Sequence, residues 1–232
     1  MSPRVDMQEV LVTSDDLGEA LDSRLSLRDQ AYSAVKRRII TMRYRPGEYL
    51  NEARVSDEVG IGRTPVHQAL DRLRLEGMVD IIPRKGVIVR PVSLDEVLEL
   101  IEIRLVNEPY CAALAARRAT GDEIAAMQAV LARTDEHIPS HDLEALMHLD
   151  REFHMGISRA AKNRVLAELL LQLHERSLRF WFISLNDRHH LLQVRREHGE
   201  VLQAIADRDS EAAAVSIRTH IESFRNIITV AI

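Results

Sequence analysis

Apolar residues recur along this chain in two rhythms, and the change between them divides it. From Ser26 the spacing is helical: Ala31, Tyr32, Val35, Ile39 and Ile40 share one face of a helix that Ser26 can cap and Asp29 supports in its first turn. Arg45-Pro46-Gly47 stops it. A second helix is predicted from Glu52 to Val59, closed by Gly60, a residue suited to a left-handed C-terminal position. A third starts near Thr64-Pro65, where first-turn amides need no intrahelical partner and proline is tolerated. It is expected to carry Val66, Leu70, Leu73 and Leu75 inward and to end at Gly77. The period then becomes that of a strand. Val79-Asp80-Ile81-Ile82 and Val87-Ile88-Val89 flank Pro83-Arg84-Lys85-Gly86, which reads as a hairpin with a basic tip. Three helices followed by such a hairpin make a winged helix-turn-helix.

From Leu94 onward no strand signal survives. Six helices are predicted near 94–118, 122–138, 141–161, 163–187, 188–207 and 209–231, broken at Thr120-Gly121, Pro139-Ser140, Asn163, Asn186-Asp187 and Asp207-Arg208-Asp209. The fold class is therefore mainly α: a winged helix-turn-helix over 26–92 and an antiparallel all-α bundle over 93–232. Residues 1–25 have no period and are expected to form a flexible extension. Composition agrees. Aromatic residues are only 4% of the chain, so Leu, Ala, Ile and Val carry the core, which favours helices over a β-sandwich. The single cysteine, Cys111, excludes an internal disulfide and fits a reducing cytoplasm. No apolar run is long enough to span a membrane, and the acidic N-terminus lacks the apolar core of a signal peptide.

Charge refines the division. The net charge of −5 would argue against nucleic acid if it were spread evenly. Residues 26–92 instead hold 13 Lys and Arg against 8 Asp and Glu, while residues 93–232 hold 16 against 22. A basic module joined to an acidic one is what phosphate contact by one part alone requires. The N-terminal end of the third helix reads Gly62-Arg63-Thr64-Pro65-Val66-His67. In the major groove Arg63 can pair with a guanine or clamp a phosphate, Thr64 can bond a phosphate or base, and His67 lies one turn from Arg63 on the same face. Arg84 and Lys85 in the wing suit phosphates or the minor groove. The plainer alternative is a solvated charged face on an ordinary helix pair.

The run Leu50-Asn51-Glu52, Gly60-Ile61-Gly62-Arg63-Thr64-Pro65-Val66-His67-Gln68-Ala69-Leu70, Arg72-Leu73 and Glu76-Gly77-Met78-Val79 closely resembles the DNA-binding domain of the GntR family of bacterial transcriptional regulators. The resemblance assigns operator contact to Arg63, Thr64, Pro65 and the wing glycine Gly86, on double-stranded DNA. Gly62 stands where the family usually has Ser, and His67 where it usually has Arg. Both departures imply a shifted operator preference.

In the second half, Asp150 and His154 lie four residues apart and share a helix face. With His198 and His220 they could supply one carboxylate and three imidazoles to Zn²⁺, Ni²⁺ or Co²⁺, although such a pair is more often a surface or capping pair. Asp150-x-x-Phe153-His154, Ala161-x-Asn163, Glu197-His198, Ile205-x-x-Arg208-Asp209 and the late His220 resemble the helical effector-binding (FCD) domain of FadR-type GntR regulators. There an Asp and three His hold a divalent metal, which assigns Asp150, His154, His198 and His220 as ligands. Six helices point to the VanR-like branch. Arg104 matches that family's R-x-x-x-E with Glu108, which implies a carboxylate-binding role; the alternative is a surface ion pair. Asn107 is expected to make the pocket wall more polar, and Phe180-Trp181-Phe182 could line it or belong to the core.

These observations predict a homodimeric regulator whose operator affinity follows a small organic acid bound at a metal and at Arg104. One alternative makes the metal itself the signal. Another is a metal-dependent hydrolase, against which the sequence offers no general base or nucleophile motif beside the ligands.

Overall fold

The computed structural model describes residues 25–82, 86–184 and 188–231. Among these lie nine helices and three strands. Helix α1 (Leu27–Ile40) starts where Ser26 accepts a hydrogen bond from the Asp29 amide. A two-residue strand β1 (Tyr49–Leu50) leads into α2 (Glu52–Val59), whose first-turn amides are capped by Asn51. Gly60 takes the left-handed conformation at φ 69°, ends α2 and turns the chain into α3 (Arg63–Leu75). Strands β2 (Val79–Ile82) and β3 (Gly86–Val89) pair antiparallel, with Val79 opposite Val89. Strand β1 adds to the other edge of β3, so the sheet order is β1-β3-β2. Two residues are too few to show a period, which is why β1 is invisible in the sequence.

Ala31, Val35, Ile39, Val55, Val66, Leu70, Leu73, Val79, Val87 and Val89 form the core of this half. Each large aliphatic side chain buried there contributes about 1.5–3 kcal/mol. One expectation fails: Leu75 is 78% exposed. Nine residues after Val66 a helix has turned two and a half times, which places Leu75 opposite the Val66-Leu70-Leu73 stripe.

The second half contains six helices among the described residues: α4 (Leu94–Arg118), α5 (Gly121–His137), α6 (Leu143–Ala160), α7 (Arg164–Ser184), α8 (Arg188–Ala206) and α9 (Ser210–Ala231). Their starts follow local chemistry. Ser93 caps α4, Thr120 and Glu123 form a reciprocal capping box on α5, Asp142 caps α6, and Asn163 accepts from the Leu166 amide in α7. Basic residues close the ends: Arg208 donates to the Ala119 carbonyl after α4, and Arg118 to that of Ala161 after α6. Helices α4, α6, α8 and α9 surround a core that includes Phe153, Ile101, Ile205 and Ile221.

The two halves touch through α1. Ile40 packs into the core of the helical half. Lys36, only 7% exposed, pairs with Glu175 of α7 at 2.5 Å and with Glu76, at the end of α3, at 3.2 Å. Arg37 reaches Glu144 of α6 at 2.9 Å. No helix among the described residues is long and apolar enough to cross a membrane.

Candidate metal centre and nucleic-acid interface

Helix α3 is held by its apolar stripe and presents Arg63, Thr64, His67 and Gln68 outward, all exposed, with Pro65 half-buried in the first turn. The helix begins without a side-chain cap because Gly62 has nothing to offer the free amides. His67 turns back toward the protein: Nδ1 lies 2.9 Å from Glu52 and Nε2 3.5 Å from Asp71. The bond to Glu52, then its charge, raises the imidazole pKa and favours the charged form. Gly86 has a steric role. At φ 103° a Cβ there would lie 3.1 Å from the Leu50 carbonyl oxygen, so β3 can cross β1 this closely only with glycine. Arg84 and Lys85, expected at the wing tip, lie outside the described residues, as does the Asn186-Asp187 break.

In the helical half, Asp150 and His154 of α6, His198 of α8 and His220 of α9 come together, all buried. One nitrogen from each of His154, His198 and His220 lies within 4.8 Å of the other two. Asp150 Oδ1 is 3.5 Å from His198 Nε2 and 3.9 Å from His154 Nε2. Neither that Oδ1 nor His198 Nε2 has a hydrogen-bond partner among the described residues, although both are shut off from solvent. Buried polar atoms left in this way are rare unless something else satisfies them. Burial raises the Asp150 pKa against the pull of His154 and His220, and burial followed by the charge of His220 pushes His198 well down. These are groups short of a cation. The donor set of one carboxylate and three imidazoles suits Zn²⁺, Ni²⁺ or Co²⁺.

The far nitrogens are fixed by carboxylates. Glu197 Oε2 sits 2.9 Å from His220 Nδ1, and Glu108 Oε2 sits 3.4 Å from His154 Nδ1. Such partners set the tautomer and aim the other nitrogen inward. Phe153 stacks on His198 with ring centroids 4.5 Å apart. Arg104 faces the same cavity, but it is neither a free cation nor a surface one: its Nε donates to Glu108 Oε1 at 2.5 Å, and both residues are buried. Burial works to raise the Glu108 pKa, yet Arg104 and then His154 outweigh it and hold the carboxyl well below its usual range. Trp181 lines the cavity, while Phe180 belongs to the core. Asn107 does not reach it; its amide donates to the Ile103 carbonyl on the outer side of α4. The space enclosed is about 10 Å³, room for an ion or a single water.

The gntR model of bacterial regulatory proteins matches residues 27–89, and the FCD domain model matches residues 99–223. The chain belongs to the GntR family of bacterial transcriptional regulators. It is similar to the Nta operon transcriptional regulator of Aminobacter aminovorans, 30% identical over 79% of this chain and 85% of that protein. It also resembles the Uxu operon transcriptional regulator of Escherichia coli, 27% identical over 81% of this chain and 80% of the relative. The fold is that of E. coli McbR/YncC, with a TM-score of 0.79 over 89% of this chain and 98% of that one at 22% identity. This chain is thus a DNA-binding regulator of the GntR and FCD type. The family and these relatives are regulators, so the hydrolase alternative falls away.

Against the GntR pattern, the missing Ser at Gly62 has a measurable consequence. Gly62 has φ −58° and ψ 157°, and an added Cβ would meet only Pro65 at 3.9 Å. Gly62→Ser should therefore stabilise the protein by roughly 0.5–1 kcal/mol, by capping α3 and stiffening the unfolded chain. Urea unfolding would show a higher midpoint at an unchanged slope; no shift would mean that the free amides are already well solvated.

The sequence pattern did not single out His174 or assign a role to Glu197, both of which line the cavity. His174 of α7 is buried on its wall, and Glu197 was noted only as the neighbour of His198. His174 falls on the inward stripe Leu170, His174, Ser177, Leu178, Trp181, so it had a signal: one imidazole on a buried line that is apolar apart from Ser177.

Proposed function

We propose that this regulator holds a divalent metal (zinc, nickel or cobalt) between Asp150, His154, His198 and His220, and that a small carboxylate reaching the metal and Arg104 sets its affinity for operator DNA. The observation that carries this reading is the pair of buried donor atoms without hydrogen-bond partners, Asp150 Oδ1 and His198 Nε2, beside His154 and His220, whose far nitrogens lie against Glu108 and Glu197. Residues 26–92 are the DNA module and 93–232 the sensor. Arg63, Thr64, Pro65 and His67 meet the major groove, and Arg84, Lys85 and Gly86 form the wing contact. The exposed stripe Ile103, Val106, Tyr110 on α4 supports a homodimer in which two such modules read two half-sites. A monomer in sedimentation velocity at micromolar protein would remove that arrangement. The six-helix sensor is consistent with the VanR-like branch.

The sensor has a physical route to the DNA module. Arg151 follows Asp150 and Glu175 follows His174, and these two outward neighbours pair at 2.5 Å. Glu175 also holds Lys36, which donates to the Tyr32 hydroxyl at 2.7 Å, and Tyr32 in turn donates to Glu76 at the end of α3. Movement of α6 or α7 at the cavity therefore pulls on the recognition helix. Operator affinity titrated against metal and carboxylate should change by about 5- to 150-fold in the wild type, the usual range of allosteric coupling. In Lys36→Met both ligands should still bind while the change shrinks to less than about threefold. Full coupling in that variant would rule this route out.

The cavity size favours a second reading, in which metal alone is the signal. Room for one ion leaves none for an organic acid until the helices part. A full response to metal without any carboxylate would establish it.

A further inference from the structure

We propose that His174 is a fifth donor to the metal at Asp150, His154, His198 and His220, so that this regulator selects an ion able to take more than four nitrogen and oxygen donors. The inference rests on the metal reading above and concerns a residue outside the expected ligand set. His174 is 6% exposed, and neither of its ring nitrogens has a hydrogen-bond partner among the described residues. Its Nε2 lies 3.5 Å from Asp150 Oδ2, whereas Oδ1 of the same carboxylate faces His198 and His154. One atom each from Asp150, His154 and His174 lies within 4.8 Å of the other two, a second donor group that shares His154 with the group of three histidines. The rings of His154 and His174 are 5.0 Å apart. The carboxylate thus stands between two sets of imidazoles, with one oxygen toward each.

Arg104, on the same cavity, has only hydrogens to give, and a neutral imidazole has one lone pair to offer. The competing role is to donate to Asp150 and orient it; at 3.5 Å that bond is too long as the chain stands, and a small ring movement would make it. Zinc in a closed protein site is usually satisfied by four ligands, which would leave His174 idle. Nickel and cobalt accept larger sets of nitrogen and oxygen donors.

The test uses the full chain with single metals. Trp181 is the only tryptophan and lines the cavity, so its fluorescence reports binding. His174→Ala and the size-preserving His174→Gln should both lose about tenfold or more in nickel affinity, at least the cost of losing an orienting partner, with zinc affinity changed by less than about threefold. Cobalt-loaded wild type should show the weak visible bands of an ion with more than four donors. Equal weakening of nickel and zinc would make His174 an orienting residue and overturn the proposal. Unchanged nickel affinity, or the intense bands of four-coordinate cobalt in the wild type, would overturn it as well. If neither the wild type nor His198→Ala binds any metal by equilibrium dialysis, the metal reading itself has failed, a result distinct from those.

Discussion

Arg63→Ala is expected to lower affinity for the specific operator by roughly thirtyfold or more while leaving the fold intact. A bidentate arginine–guanine pair is worth about 1–3 kcal/mol, and the homodimer proposed above would lose one at each half-site. Two such losses span about 2–6 kcal/mol, enough to bring specific binding toward the non-specific level. The cost to stability should stay within about 0.5 kcal/mol, since Arg63 is exposed and makes no ion pair among the described residues. Fluorescence anisotropy with operator and scrambled duplexes, at one fixed salt concentration, separates the possible roles. Loss on the operator alone marks a base contact. Equal loss on both, with a shallower salt dependence, marks a phosphate clamp. Unchanged operator affinity would mean that the reading end of the helix lies elsewhere.

Much of this architecture is legible in the sequence because periodicity and capping are local. Ser26, Asn51, Thr120 and Asn163 cap helices through atoms at most three residues away, and the six described helices of the second half begin within two residues of where their patterns start. Errors arise where the answer depends on what lies across from a residue. Leu75 is apolar, yet it falls on the wrong side of its helix. The Arg104 and Glu108 spacing fits a surface pair or a buried one equally well; only the packing of α4 against α9 and α6 decides, and it buries both. His67 keeps the exposed position of a DNA contact, and the orientation of its ring depends on Glu52, fifteen residues earlier. His174 went unread for the same reason: its meaning comes from Asp150 on the neighbouring helix.

The largest stability effect in the helical half is expected at that buried pair. Glu108→Ala should destabilise the protein by about 3–5 kcal/mol, because it leaves the Arg104 guanidinium buried without its anion. The Phe224 ring, 5.9 Å from that guanidinium, is a weak substitute. The double replacement Arg104→Met with Glu108→Leu should recover most of the loss, since it buries apolar groups of similar bulk in place of two charges. Urea unfolding of both single variants and the double variant measures this; an additive result would show that the two side chains act independently. The pH dependence has a definite sign. The Glu108 carboxyl is held below its unfolded value, so its contribution is complete above about pH 4.3 and is lost as the pH falls through the folded pKa. The gap between wild type and Glu108→Ala should therefore stay constant from neutral pH down to about pH 5 and narrow only in stronger acid. Formate or acetate should restore part of the stability of Glu108→Ala, by returning a carboxylate to Arg104 in the space the side chain has left. Such rescue would also show that Arg104 can accept a small organic anion once Glu108 releases it, the event that the proposed carboxylate effector would have to bring about in the wild type.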